Sequence, residues 1–105
     1  MVFFEKDNLR LNSIAYVKGI SEDGELDIEE RRAREGLAIE SKQEDGTYLV
    51  IVFLNYDKDE KEVQIQGVGK RILDLEDSVF PVFKELCWLG ASIVESLNKE
   101  AEENE

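Results

Sequence analysis

The most apolar stretch of the chain is residues 47–56, TYLVIVFLNY, where almost every side chain is β-branched, aromatic or aliphatic. With a period of two, Tyr48, Val50, Val52, Leu54 and Tyr56 line one face of a strand and Leu49, Ile51 and Phe53 the other. A strand that is apolar on both faces belongs inside a sheet, so this stretch is expected to be central, with material packed on each side. Around it the pattern alternates. In residues 37–42, Leu37 and Ile39 point inward and Glu40 and Lys42 outward. Asp45-Gly46 then gives the hairpin signal, because it readily supplies positive φ. Residues 57–62 read as a charged turn. In EVQIQ, residues 62–66, Val63 and Ile65 are expected to be buried.

Three further segments read as strands. Residues 2–5, short and apolar, read as a strand or as a clip onto the sheet. Residues 9–20 fit either a strand, with Ile14, Tyr16 and Ile20 on one face, or a weak helical stripe through Leu9, Ser13, Tyr16 and Ile20. The β-branched and aromatic content of residues 14–17 favours the strand. Residues 70–75 read as a last short strand.

Helical period appears twice. In residues 27–36, Asp27 and Glu30 make a capping box, Arg31, Arg32 and Arg34 fall where the macrodipole favours cations, and Gly36 can end the helix. A short solvated helix is expected there, with a charged hairpin arm continuing Leu26 and Ile28 as the alternative. Asp77 or Ser78 caps a second helix that runs to about Asn98, with Pro81 in its first turn. On a wheel, Val79, Phe83, Leu86, Ile93, Val94 and Leu97 centre the apolar face. Phe80, Cys87 and Ala91 flank one side of it, and Val82 and Leu89 the other. The apolar arc spans roughly 200°, more than one sheet face needs, which points to a second packing surface on the same helix. Trp88 stands opposite the centre of that face, among Lys84, Glu85, Ser92 and Glu95. Residues 99–105 are polar and acidic and are expected to fray. The pattern predicts one α+β domain over residues 1–98: an antiparallel sheet of about four strands with the long C-terminal helix packed on one face.

Composition changes the picture mainly through charge. Of 105 residues, 25 are acidic and 13 basic, a net charge of −12. Such a chain repels nucleic acid and anionic membrane and attracts basic proteins. The N-terminus lacks a signal-peptide pattern, and no apolar run approaches the roughly 20 residues of a membrane helix. The single cysteine, Cys87, allows no internal disulfide. A reducing, cytoplasmic setting is therefore expected.

Candidate chemistry is thin. Without histidine the commonest general base and metal ligand are missing, and no Ser-His or Cys-His pair can form. Cys87 falls on the apolar side of its helix, where a thiol behaves as a small hydrophobe. Asp57-x-Asp59 begins like a calcium loop, but glycine at the sixth position and glutamate at the twelfth are replaced by Glu62 and Val68. Gly67-Val68-Gly69 lacks the lysine and hydroxyl of a phosphate loop. The arginines at 31, 32 and 34 are diluted by Glu29, Glu30 and Glu35 and read as an ion-paired surface. The expectation is a non-catalytic protein with no cofactor and no metal.

Two function classes follow. The first is a small acidic binding protein that occupies a basic protein partner, such as a nucleic-acid-handling enzyme. It would act as an inhibitor or nucleic-acid mimic of the phage or mobile-element counter-defence type, or as an immunity protein. The residues expected at its surface are Trp88 and Glu85, with the acidic groups Asp57, Asp59 and Glu60 and Asp74, Glu76 and Asp77. The second is a structural or assembly subunit, a homodimer through the C-terminal helix. Neither involves direct contact with nucleic acid or membrane.

Overall fold

The computed structural model describes residues 2–13, 15–20, 22–23, 26–30 and 36–103; for 15–20 and 26–30 the description is of the backbone. A five-stranded antiparallel sheet carries a C-terminal helix across one face, an α+β architecture. Its strands are β1 (Val2–Lys6), β2 (Leu9–Ser13), β5 (Leu37–Lys42), β6 (Tyr48–Asp57) and β7 (Glu62–Gly67), in the order β1-β2-β5-β6-β7. β3 (Ala15–Ile20) and β4 (Leu26–Glu30) form a separate two-stranded ladder inserted between β2 and β5. After β7 come α1 (Gly69–Leu73), a short 3₁₀ turn (Asp77–Val79) and α2 (Phe80–Glu103).

Turn chemistry sets the sheet. Lys6 pairs with Leu9 across Asp7 and Asn8, both at positive φ (52° and 66°), the backbone pattern of a type I′ hairpin. Between β5 and β6, Gly46 takes φ 88°, and the Asp45 carboxylate accepts from the Thr47 amide at 3.0 Å and its hydroxyl at 2.6 Å. This is the hairpin that Asp45-Gly46 announces.

Strand β6 is interior, between β5 and β7, although β5 holds the middle of the sheet. Its faces differ from simple alternation. Ile39 pairs with Val52 and Glu40 with Val50, which leaves Ile51 as an extra residue. In such a bulge two successive residues oppose one. Ile51 and Val52 accordingly both lie in the core at 1% exposure. Phase changes there: Leu54 and Tyr56 face the helix along with Ile51, whereas Phe53, opposite Ala38, faces away.

Two expected elements are corrected. Residues 26–30 form a strand, not the start of a helix: Leu26 pairs with Ile20 and Ile28 lies opposite Val17. The period-two placement of Leu26 and Ile28 outweighs the capping box, which makes the hairpin arm the correct alternative; residues 31–35 lie outside the described residues. In the ambiguous segment 9–20, the described residues are strand. The other correction is residues 70–75, where α1 replaces the expected strand. Ile72 and Leu75, three apart, both pack on the core, and the Arg71 Nη1 donates to the Val50 carbonyl at 2.7 Å. Helical spacing lets both side chains return to the sheet after the chain turns at Gly67.

Helix α2 lies on the face formed by Leu9, Leu11, Leu37, Ile39, Ile51, Val52 and Leu54. Each such side chain, when fully buried, contributes about 1.5–3 kcal/mol. The buried residues of the helix are Val82, Leu86, Gly90, Val94 and Asn98, a row with a spacing of four. Its centre is therefore Gly90, closer to Val82 than the wheel placed it. A Cβ on Gly90 would sit 2.6 Å from the Leu54 Cδ1 and 3.0 Å from a Leu11 Cδ1, so glycine lets the helix backbone approach the sheet. The helix continues a turn past its expected end. Lys99 bonds Glu95, Tyr56 donates to Glu102 at 3.3 Å, and the buried Asn98 amide donates to the Val94 carbonyl at 2.7 Å.

Candidate functional site

Two strands form the edges of the main sheet, and they are finished differently. β1 carries a bulge between Val2 and Phe4, which breaks the regular row of edge groups. β7 pairs with β6 in unbroken register from Asp57↔Glu62 to Val52↔Gly67. The Val68 amide donates to the Ile51 carbonyl at 2.8 Å, which makes Val52↔Gly67 a non-hydrogen-bonded pair. By the same alternation Val63 and Ile65 turn their N–H and C=O groups away from β6. Strand β7 contains no lysine, proline or bulge, the usual devices that discourage pairing at an edge.

Beside this edge lies an apolar groove of about 340 Å³, lined by Ile65 from β7 and by Phe83, Lys84, Cys87, Trp88 and Ala91 from α2. The four-residue steps 83, 87, 91 and 84, 88 bring these side chains onto the flank of α2 that faces β7. Phe83, Cys87 and Ala91 are half-buried and also pack on the core. Trp88 is 68% exposed and Ile65 53%. The helical position opposite the buried row therefore does leave Trp88 at the surface. Ile65 departs from the expected burial: β7 is the last strand, with nothing described beyond it to cover that side chain. Phe80 meets Phe83 edge-on, with ring centroids 6.4 Å apart. Burial pushes the Cys87 thiol above its ordinary value, which disfavours the reactive thiolate.

The expected acidic residues divide between two places. Asp57 ends β6 and organises the turn to β7: its Oδ1 accepts from the amides of Asp59 and Glu60 at 2.9 and 3.1 Å, and its Oδ2 accepts from the Gln64 Nε2 at 3.0 Å. Asp59 and Glu60 are fully at the surface, as is Glu62, which begins β7 on the face away from α2. Asp74 caps α1, while Glu76 and Asp77 open the 3₁₀ turn. Asp74 lines a small depression with Ser41, Gln43, Leu49, Ile51, Arg71 and Leu75, towards the start of β6. Asp57 lies at the other end of that strand, roughly 25 Å from Leu49 at 3.3 Å per residue. The two groups thus do not form one acidic surface. Glu85 is exposed on α2, three residues before Trp88.

A second polar constellation occupies the face of the sheet away from α2. Arg10 Nε meets the Glu40 Oε1 at 2.9 Å, and the Asn12 Nδ2 donates to the same oxygen at 3.0 Å. The guanidinium lies 3.4 Å from the centre of the Tyr48 ring, and the Tyr48 hydroxyl donates to the Glu5 Oε1 at 2.6 Å. Partial burial works against the Arg10 charge, but the hydrogen bond and charge of Glu40, aided by Tyr48 and Glu5, outweigh it and raise its pKa. Here Arg10 and Glu40 neutralise each other across neighbouring strands, as a structural ion pair does.

Among the described residues no group of three or more His, Cys, Asp or Glu side chains is disposed to hold a metal ion. No helix among them is long and apolar enough to cross a membrane. Among the described residues the groove offers one cation, Lys84, and no converging set of polar groups to orient a small substrate. Compared with known proteins, the chain matches no protein-family model, no curated protein and no solved structure.

Proposed function

We propose that the protein is a small, acidic, non-catalytic binding protein that occupies a basic protein partner, acting as an inhibitor or nucleic-acid-mimicking decoy of the counter-defence or immunity type. The observation that carries this reading is the groove beside β7. An exposed tryptophan stands there next to apolar surface on an otherwise heavily charged molecule, the composition of an interaction hot spot. The net charge of −12 supplies the sign of the partner. Acidic side chains at the β7 edge and its preceding turn, Glu62, Asp59 and Glu60, would attract cations during encounter and speed association.

The test is affinity capture from the native host with immobilised protein, run in parallel with Trp88→Ala. The expected result is a basic protein retained by the parent, lost with the variant, and associating more slowly as salt rises. Capture that ignores both Trp88 and salt would refute the reading. The same groove also supports a second reading, a structural homodimer through α2. The two respond to salt oppositely: two copies of charge −12 repel, so self-association would strengthen as salt screens them.

A further inference from the structure

The open edge and the groove share a residue. Ile65 turns its backbone N–H and C=O outward from the sheet and its side chain into the groove. A chain segment laid along β7 would therefore make main-chain hydrogen bonds to Val63 and Ile65, and every second side chain would enter the groove against Ile65 and Trp88. The intervening side chains would lie on the opposite face, beside Glu62, Gln64 and Gln66. The two faces select different chemistry. Lys84 at the groove repels cations and the remaining lining is apolar, whereas along residues 57–62 the carboxylates of Asp57, Asp59, Glu60 and Glu62 outnumber the cations Lys58 and Lys61. We propose that the partner is bound by strand addition: an extended segment with alternating apolar and cationic residues pairs antiparallel with β7, apolar side chains in the groove and cationic ones beside Glu62.

Several observations favour this occupant. Among the described residues the β7 ladder is regular and carries no lysine, proline or bulge, while β1, the opposite edge, is bulged. Strand addition draws affinity from the main chain and specificity from alternate side chains, and the described surface supplies a feature for each. A second copy of this chain would instead present Glu62 to an acidic neighbour and bring together two molecules of charge −12. The inference rests on the binding-protein reading and adds to it the form of the segment recognised.

The experiment uses the full chain and a fluorescent peptide alternating valine and lysine, followed by anisotropy. In antiparallel pairing, the residue opposite Ile65 shares its face and exchanges both hydrogen bonds with it, so the valine amides donate to β7. N-methylation of the valine amides should then weaken binding about tenfold or more, while N-methylation of the lysine amides leaves it nearly unchanged. Trp88→Ala and Glu62→Lys should each weaken binding, and bound peptide should slow labelling of Cys87. Equal binding by both methylated peptides, or by a peptide of the same composition with its lysines in one block, overturns strand addition but leaves an acidic binding protein standing. If no cationic peptide binds, and sedimentation shows dimers that strengthen with salt, strand addition and the binding-protein reading fall together in favour of a second copy at β7.

Discussion

Trp88 and Gly90 are two residues apart on α2 and mark its opposite sides. Trp88, at 68% exposure, makes little use of the core. Trp88→Ala is expected to change unfolding free energy by less than about 0.5 kcal/mol, the usual range for surface substitutions, while removing partner capture. The chain has one tryptophan, so emission reports on this site alone. It should be red-shifted in the dilute protein and move to the blue on binding; blue emission in a dilute monomer would place the indole in the core. On the other face of the sheet, Tyr48 offers a check by pH. Its hydrogen bond to Glu5, then partial burial and the Glu5 charge, raise its pKa, with Arg10 pulling the other way. A phenol whose folded pKa is raised contributes stability that is fully present below the unfolded value of about 10 and is lost as pH rises through the folded value. In Glu5→Gln, tyrosinate absorbance assigned by difference from Tyr48→Phe should show Tyr48 ionising at a lower pH than in the parent. An unchanged titration would mean that Glu5 does not hold the phenol.

At the scale of elements, β6 and α2 carry most of the core, and each tests how its residues were positioned. Ile51 and Val52 are consecutive, yet both are buried because the bulge turns them to one side. Ile51→Ala and Val52→Ala are each expected to destabilise by about 1–4 kcal/mol in urea denaturation. A loss for only one of the two would restore simple alternation. Gly90→Ala sets two effects against each other. Alanine improves the helix by about 1 kcal/mol. The new methyl meets Leu54 and Leu11, both completely buried, and overpacking costs about 1–3 kcal/mol. The clash should win, giving net destabilisation; a more stable variant would show that the leucines move aside. These elements also show what was legible in the sequence. The apolar run at residues 47–56, the Asp45-Gly46 hairpin and the long C-terminal helix were visible because each is a local pattern with a local cause. The bulge was not, because a one-residue phase change depends on the partner strand. Residues 26–30 satisfied two periods and tertiary packing chose between them, whereas residues 70–75 read only as a strand because the return of Ile72 and Leu75 to the sheet depends on tertiary packing. The groove was half legible: Trp88 stood out against the wheel, but the exposure of Ile65 depends on β7 being the edge, a property of strand order and not of the EVQIQ pattern itself.

For the whole molecule the dominant quantity is charge, −12 on a body whose radius of gyration is 14.9 Å. Only part of that charge can serve a local contact. The turn from Asp57 to Glu62 adjoins the β7 edge, whereas Asp74, Glu76 and Asp77 follow α1 at a distance from it. Reversing the charges of the first group should therefore weaken partner capture much more than reversing those of the second. Equal, small effects would assign the acidity to solubility alone. Charge also acts on folding. Among the described residues the ion pairs Arg10–Glu40 and Lys99–Glu95 are attractive, but the second is exposed and screened by solvent and salt. Against these stands the mutual repulsion of an excess of carboxylates in one small body, which favours expansion. The Debye length is about 10 Å at 0.1 M salt and about 3 Å at 1 M, so salt should screen the repulsion before it weakens the partly buried Arg10–Glu40 pair. Thermal unfolding should accordingly move to higher temperature with added sodium chloride, while association with a basic partner slows over the same range. Opposite signs are expected because one charge distribution repels itself and attracts a cation. A Tm that falls with salt would mean that attractive pairs outweigh the net charge, and the excess of acid would then be balanced within the fold instead of being held for a partner.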